Sequence, residues 1–351
     1  MARIIHLHVG MPKCATTTVQ DVLAENADWL AEHGVAYERH ADDWTEGEGN
    51  AAVLGSHLLH NQQAKARRLL NFFLRGDGDV ILSSEVLIAC ARARHFQWFV
   101  DEVAKRGFRL HVIVYLRRQD IWIESDFKQH VKSQNLWTGT LDDLIESRIE
   151  RRTLDYHWVM RNWARFVGRE NVSVVPLNRG QDPLYPARRF FELLEVPPPP
   201  DERVSTEPRN VSPPAGLIEA ARFVKRAALR EGLDAEAATF RVTQFIEDAL
   251  RKGVVPTRRY LLDADTRREL LSRYERSNAR LAREFLDGTP PFDPFEEEAE
   301  AEPGMSLTEE AADLLATLAN GALRDPDAAD APQQVRRPLW HRMTGSMIRR
   351  K

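Results

Sequence analysis

A lysine, small residues and three consecutive threonines occupy Met11-Pro12-Lys13-Cys14-Ala15-Thr16-Thr17-Thr18, directly behind an apolar run that ends at Gly10. Those residue types suit an anion. A helix opening in threonines presents unpaired N–H groups and a partial positive charge at its N-terminus; hydroxyls add donors, and Lys13 adds a full charge at the mouth of the loop. A second cationic position stands in Tyr115-Leu116-Arg117-Arg118-Gln119-Asp120-Ile121-Trp122-Ile123-Glu124-Ser125, where an apolar run ends in arginine and a serine follows eight residues later. Arg117 can make bidentate, charge-assisted contacts to a phosphate, and Ser125 can add a hydroxyl. Each residue also has a plain structural reading: an ordinary polar turn, a carboxylate partner for Arg117, a solvent-facing helix serine.

The elements that must position these groups alternate. Residues 3–9 read as a strand, with β-branched residues and alternation up to Gly10. A helical pattern runs from Val19 to about His33, with Gly34 as its stop, and residues 51–74 look helical. Val80-Ile81-Leu82-Ser83-Ser84-Glu85 is a strand running into polar residues; a helix follows around Ala91–Arg106. Leu110–Leu116 is the nearly continuous apolar run of a central parallel strand buried on both faces, and Asp120 is the expected N-cap of a helix to about Lys132. Helices are expected at 141–150, 153–167 and 186–194, a strand at 172–177, a stiff break at Pro197-Pro198-Pro199-Pro200, then helices at 215–230, 234–252 and 264–286. The pattern predicts an α/β fold: a P-loop-like parallel sheet flanked by helices, with a largely helical C-terminal half. Ligands gather outside the strand C-termini in such sheets.

The triphosphatase pattern G-x-x-x-x-G-K-[ST] does not fit the loop. With Gly10 as its first glycine, the second falls on Ala15 and the lysine position on Thr16, while Lys13 comes three places too early. A triphosphate and its Mg²⁺ would lack their usual holders. A migrating sulfuryl group carries less negative charge than a γ-phosphoryl group, so lysine and backbone dipoles can serve it without a metal.

Gly10-Met11-Pro12-Lys13-Cys14-Ala15-Thr16-Thr17 resembles the P-K-x-G-T-T loop of sulfotransferases that use 3′-phosphoadenosine 5′-phosphosulfate (PAPS). The Tyr115–Ser125 segment is similar to that family's 3′-phosphate motif. The likeness extends more weakly to Asp155-Tyr156 with Trp163, Phe166 and Gly168, and to Asn210-Val211-Ser212, covering about residues 3–287. The resemblance implies that Lys13 holds the phosphosulfate and its bridging oxygen. Thr16, Thr17 and the loop amides, including those of Cys14, Ala15 and Thr18, would bind the 5′-phosphate, and Arg117 and Ser125 the 3′-phosphate. Ala15 stands where the family has glycine, so the backbone there is expected to avoid a positive φ. The R-K-G segment of cytosolic members is missing, and Arg209 is its speculative substitute.

Transfer to a hydroxyl needs a base within hydrogen-bond reach of the attacking oxygen. Glu85 ends the 80–85 strand on the ligand edge, where cytosolic members carry their catalytic histidine. Glu38 follows the first helix, where carbohydrate and protein-tyrosine sulfotransferases often place a glutamate. Both stay open, with His40 and His57 behind them. His6 and His8 alternate on one strand face without a third ligand at a telling spacing, so no metal is expected. Cys14, near a helix N-terminus, reads as the loop's variable position rather than a nucleophile.

Composition bounds the rest. The chain has 351 residues, a net charge of −4 and two cysteines, Cys14 and Cys90, which leaves no disulfide framework and no ground for general nucleic-acid binding. No segment approaches the ~20 apolar residues of a membrane-spanning helix, and Met1–Gly10 is too short and polar for a signal peptide, so the cytoplasm is the expected setting. The predicted organisation is a sulfotransferase domain over 1–287, an acidic linker over 288–305, and a tail over 306–351 with a short helix at 307–319. Residues 336–351 hold six basic residues and no acidic ones beside Leu339, Trp340, Met343, Met347 and Ile348. That mixture suits peripheral contact with anionic lipid or a glycolipid acceptor; disorder is the alternative. The expected reaction is PAPS plus an acceptor hydroxyl, on a carbohydrate or glycolipid by family analogy, giving PAP and a sulfate ester. The competing readings are a nucleoside or small-molecule kinase with a degenerate loop, and a catalytically silent nucleotide-binding scaffold. Deleting 336–351 should leave PAP binding intact in a thermal-shift measurement; a loss of affinity would assign the tail to the donor site.

Overall fold

The computed structural model describes residues 2–41, 49–200, 203, 213–251 and 260–296. Arg209, Asn210-Val211-Ser212, the helix expected at 307–319, the basic tail and the acidic run beyond 296 lie outside them. The chain forms two compact units, one built from Met1–Trp122, Ser147–Pro208 and Glu269–Pro294, the other from Ile123–Glu146, Arg209–Arg268 and Phe295–Lys351.

In the first unit β1 (Arg3–His8), β2 (Val35–Ala36), β3 (Asp79–Ser83), β4 (Phe108–Arg117) and β5 (Val172–Leu177) form an all-parallel sheet in the order β2-β3-β1-β4-β5. Helices flank it, so the fold is α/β, as the alternating pattern predicts. β4 is buried without interruption from Val112 to Leu116, as expected of a strand with sheet on both sides. The register pairs His8 with Ser83 on one side and with Ile113 on the other.

The helices in chain order are α1 (Thr16–Glu25), α2 (Ala27–Glu32), α3 (Ala52–Leu59), α4 (Gln63–Phe73), α5 (Gln97–Lys105), α6 (Gln119–Lys132), α7 (Leu141–Glu150), α8 (Tyr156–Val167), α9 (Tyr185–Leu193), α10 (Ala215–Arg230), α11 (Ala235–Arg251) and α12 (Ala264–Phe285). Four expectations need correction. The helix predicted from Val19 to His33 starts at Thr16 and breaks at Asn26, whose side-chain amide donates to the Val22 carbonyl at 2.9 Å and competes with the backbone ladder. The helix predicted over 51–74 is two helices parted at Asn61, which takes a left-handed φ of 55°. Residues 85–96 wind as two 3₁₀ helices, Glu85–Arg92 and Arg94–Phe96, before α5 begins. Asp120 is not the N-cap of α6: it lies inside the first turn, where its carboxylate takes both Nε and Nη2 of Arg118 at 2.8 and 3.1 Å.

Trp163 is fully buried, and Phe96 packs edge-on against it and against Phe166. The face of the sheet that carries His8 is more polar. Ser83 Oγ lies 2.8 Å from His8 Nδ1 and accepts from Gln20 of α1 at 3.0 Å. His8 is enclosed by the rings of Tyr115 and of Phe190 from α9. Two strand positions earlier, His6 Nδ1 and His111 Nδ1 stand 3.1 Å apart, and His111 Nε2 reaches Ser173 Oγ at 2.8 Å.

The second unit has its own buried polar centres. Lys225 of α10, fully buried, donates to the carbonyls of His130 and Ser133 and to Asn135 Oδ1 at 2.8–2.9 Å. Its ammonium thereby closes the C-terminal end of α6, where the helix dipole favours a cation. Glu124 accepts from the amides of Leu261 and Leu262 at 3.0 and 2.9 Å, and burial pushes its carboxyl above the usual carboxylate range.

Burial pushes the imidazole of His8 down to about 3 and that of His111 down to about 4, the latter helped by His6 and Arg109. The unfolded chain protonates both rings near pH 6.5, well before the folded chain does. Stability is therefore complete above about pH 6.5 and falls as pH is lowered toward 4, by up to ~1.4 kcal/mol per pH unit for each ring. Urea denaturation across that range should show the loss, and His111→Gln should roughly halve its slope.

Candidate functional site

The β1–α1 connection is a compact loop held by its own backbone. The Cys14 amide donates to the Met11 carbonyl at 3.2 Å, and Thr16 Oγ1 reaches the same carbonyl at 3.4 Å. Lys13 and Ala15 both take left-handed conformations, φ 64° and 58°. This overturns the expectation that Ala15 avoids a positive φ. The loop keeps the glycine-type backbone without a glycine, at a cost of about 1–2 kcal/mol for each non-glycine residue so placed. Left-handed residues on either side of Cys14 turn successive N–H groups toward one side, the concave arrangement that binds anions. Among the described residues, the amides of Lys13, Ala15, Thr16, Thr17 and Thr18 have no backbone partner, and α1 has neither a side-chain cap nor an acidic residue in its first turn.

Two glycines allow close approaches. A Cβ on Gly10 would stand 2.5 Å from Thr16 Cγ2, so the loop closes on itself only over a bare Cα. At Gly49, φ 79°, a Cβ would stand 2.1 Å from the Ser83 carbonyl oxygen. The neighbouring Asn50 is fully buried; its side chain donates to the carbonyls of Glu38 and Ile81, both at 2.8 Å, and accepts from the Ser83 amide at 2.8 Å. It thus fastens the end of β3.

Two aromatic side chains anchor the loop and the end of β4. Trp122, on α6, donates its indole N–H to the Pro12 carbonyl at 2.7 Å. Tyr156, at the start of α8, donates its hydroxyl to the Arg117 carbonyl at 2.7 Å. Burial, with the nearby Cys14, Asp120 and Tyr274, holds that phenol well above its usual range, so it stays a donor. Neither role is visible in the sequence, where Trp122 is 110 residues from Pro12.

The cations sort themselves. Arg118 is engaged by Asp120 and by the carbonyls of Asp293 and Pro294 at 3.1 and 3.0 Å. Arg117 and Lys13, both half-buried, have no carboxylate within ion-pair distance among the described residues. The carboxylate pairing that would explain Arg117 as purely structural is thus absent among those residues. Cys14 sits buried between these parts. Burial, and then the field of Glu85, push its thiol up to about 12 against the opposing pull of Arg117, whose backbone amide it meets. The thiol stays protonated, because burial outweighs the helix terminus.

Glu85 opens the 3₁₀ helix behind β3, half-buried, and its field reaches Cys14. Glu38 is placed differently: it follows the edge strand β2 and is ion-paired to Arg75 at 2.7 Å. His40 packs edge-on against Phe72, and His57 lies on α3. Ser125 is in the second turn of α6, half-buried, in the chain's second unit. The structure therefore brings the loop, Arg117 and Glu85 together around Cys14 and leaves Glu38 in an ion pair at the sheet edge.

The strand order explains that gathering. From β1 the chain leaves toward β2 on one side of the sheet, and from β4 it leaves toward β5 on the other. The loops behind β1 and β4 diverge there, the position where ligands of parallel sheets bind. Lys13 stands in the first loop and Arg117 is the last residue of β4, where the second begins.

Among the described residues no group of three or more His, Cys, Asp or Glu side chains is placed to hold a metal ion, and no helix is long and apolar enough to cross a membrane. Ala15→Gly should relieve the left-handed strain and raise the urea midpoint by the equivalent of up to ~1 kcal/mol, after the extra entropy of glycine in the unfolded chain is counted. Gly10→Ala should lower it by about 1–3 kcal/mol through collision with Thr16. No protein-family model, curated protein or solved structure matches this chain.

Proposed function

We propose that the chain is a sulfotransferase that moves the sulfuryl group of PAPS to an acceptor hydroxyl, on a carbohydrate or glycolipid. The observation that carries this reading is the pair of half-buried cations without carboxylate partners among the described residues, Lys13 and Arg117, where the two loops diverge at the switch point. The strained loop between them offers convergent amides, and backbone strain of this kind persists where function requires it. In this reading the loop is a P-loop-like cradle. Lys13 and the amides of Ala15 to Thr18 hold the phosphosulfate, Arg117 takes the 3′-phosphate, and Ser125 supplies a hydroxyl from α6; the Cys14 amide, expected to join them, is instead taken by the Met11 carbonyl.

The chemistry asked of these groups is modest. The acceptor oxygen attacks sulfur, the bond from sulfur to the bridging oxygen breaks, and PAP leaves. Lys13 and the loop dipoles stabilise the charge that develops on that bridging oxygen. The hydroxyl proton goes to a carboxylate, and Glu85 is the better placed of the two candidates. Its field reaches the loop at Cys14, whereas Glu38 follows the edge strand β2.

Thermal shift with PAP and with ATP–Mg²⁺ tests the donor. PAP at about a hundred times its Kd should stabilise the protein by about 2.7 kcal/mol. Stabilisation by ATP–Mg²⁺ alone would replace this reading with a kinase. Lys13→Ala and Arg117→Ala should each weaken PAP binding about tenfold or more, the loss of a charge-assisted hydrogen bond. Glu85→Gln should bind PAP normally and lose about 10²–10⁴-fold in transfer rate; unchanged transfer would move the base elsewhere.

A further inference from the structure

Four arginines gather close to the loop in the first unit without taking part in donor binding. Arg92 is the last residue of the 3₁₀ helix that starts at Glu85, and Arg148, Arg151 and Arg152 lie at the end of α7 and just beyond it. Two of the guanidiniums sit on one indole: Arg92 and Arg152 are 5.0 and 4.8 Å from the ring centre of Trp158. Arg148 lies 6.0 Å from the ring of Trp122, the indole whose N–H holds the Pro12 carbonyl. The cluster thus begins one indole away from the loop.

A carboxylate compensates part of its charge. Asp155 pairs with Arg152 at 2.6 Å, and its other oxygen is taken by the Trp158 amide and the Ser277 hydroxyl. Arg92 and Arg151 are exposed and have no carboxylate within ion-pair distance among the described residues. Burial, and then Arg151, Arg148 and Arg152 in turn, hold the Arg92 guanidinium below its ordinary value, which shows how closely the like charges are set. Like charges held this close repel unless an anion shares them, and two guanidiniums fixed on an indole keep their donor edges available to it.

We infer that Arg92, Arg148, Arg151 and Arg152 form the acceptor subsite, and that the acceptor carries its own oxyanion, a carboxylate, sulfate or phosphate, in addition to the hydroxyl that attacks. The inference rests on the sulfotransferase reading for the identity of the reaction, though not for the existence of the anion site. The 3₁₀ helix from Glu85 to Arg92 spans about 14 Å at roughly 2 Å per residue. The acceptor's anion and its reacting hydroxyl are therefore separated by up to about that distance. Saccharides of one ring or of several fall within this limit.

Fluorescently labelled tetrasaccharides in four forms test this on the full chain: one bearing glucuronate, one sulfated, one phosphorylated, and neutral maltotetraose. At least one charged form should bind, more weakly as ionic strength rises, and the neutral form should not. The charged form bound most tightly names the oxyanion. Arg92→Ala/Arg151→Ala should weaken that binding at least about tenfold, the loss of charge-assisted hydrogen bonds, while the thermal shift by PAP stays at the wild-type value. Arg92→Lys/Arg151→Lys, which keeps the charge, should recover part of the affinity. Equal binding of the neutral form, no binding of any charged form, or wild-type affinity in the alanine pair would overturn the subsite. Failure of PAP to stabilise the protein, with charged saccharide still lost in the alanine pair, would overturn the donor reading and leave the anion site standing.

Discussion

Because β1 is hydrogen-bonded in parallel to β3 on one side and to β4 on the other, the chain leaves all three strands at one edge of the sheet. Everything proposed about the site depends on that pairing. It sets the loop behind His8, Glu85 behind Ser83, and Arg117 at the end of β4 within one neighbourhood, though they are separated by long stretches of chain. A parallel sheet forces this arrangement, since each strand needs a crossover before the next, and every crossover starts from the same edge.

The local structure then shapes that neighbourhood into the proposed anion site. Left-handed backbone at Lys13 and Ala15 turns amides inward, a bare Cα at Gly10 lets Thr16 close over the turn, and two buried aromatic donors fix the carbonyls of Pro12 and Arg117. Each carbonyl so used leaves neighbouring N–H groups without competition from it. The strain is tolerated because the surrounding contacts over-determine the loop. Cys14, sealed beneath and kept protonated, supplies packing rather than reactivity.

The polar groups inside the unit divide into two kinds. His8, Ser83 and Gln20, like His6, His111 and Ser173, hydrogen-bond one another across the sheet, while His6 Nε2, His8 Nε2 and Gln20 Oε1 are buried without a hydrogen-bond partner among the described residues. Lys13, Arg117, Arg92 and Arg151 have no carboxylate partner among the described residues, and they stand around the edge where the strands end. A buried or crowded charge without a partner is unfavourable in the free protein, and a bound anion removes that cost. This distinction, more than any single motif, carries the proposal that the unpaired cations meet a ligand.

Much of this was legible in the residues alone. Apolar runs with β-branched residues marked β1, β3, β4 and β5, because strand burial imposes local composition, and Lys13 with Thr16–Thr18 suggested the anion loop of the proposed function. The helix breaks at Asn26 and Asn61 were missed, since both depend on the backbone conformation of one polar residue inside an otherwise helical pattern. The left-handed Ala15 ran against residue preference, because tertiary contacts and not intrinsic propensity hold it there. Sequence singled out Arg117 over its neighbour Arg118 only by resemblance, and left Glu85 and Glu38 as rivals. Only the folded chain tied Arg118 to Asp120 and Glu38 to Arg75, and only it gathered Arg92 with Arg148, Arg151 and Arg152. Ion pairing and charge clustering are decided by distance in space, which spacing along the chain does not encode.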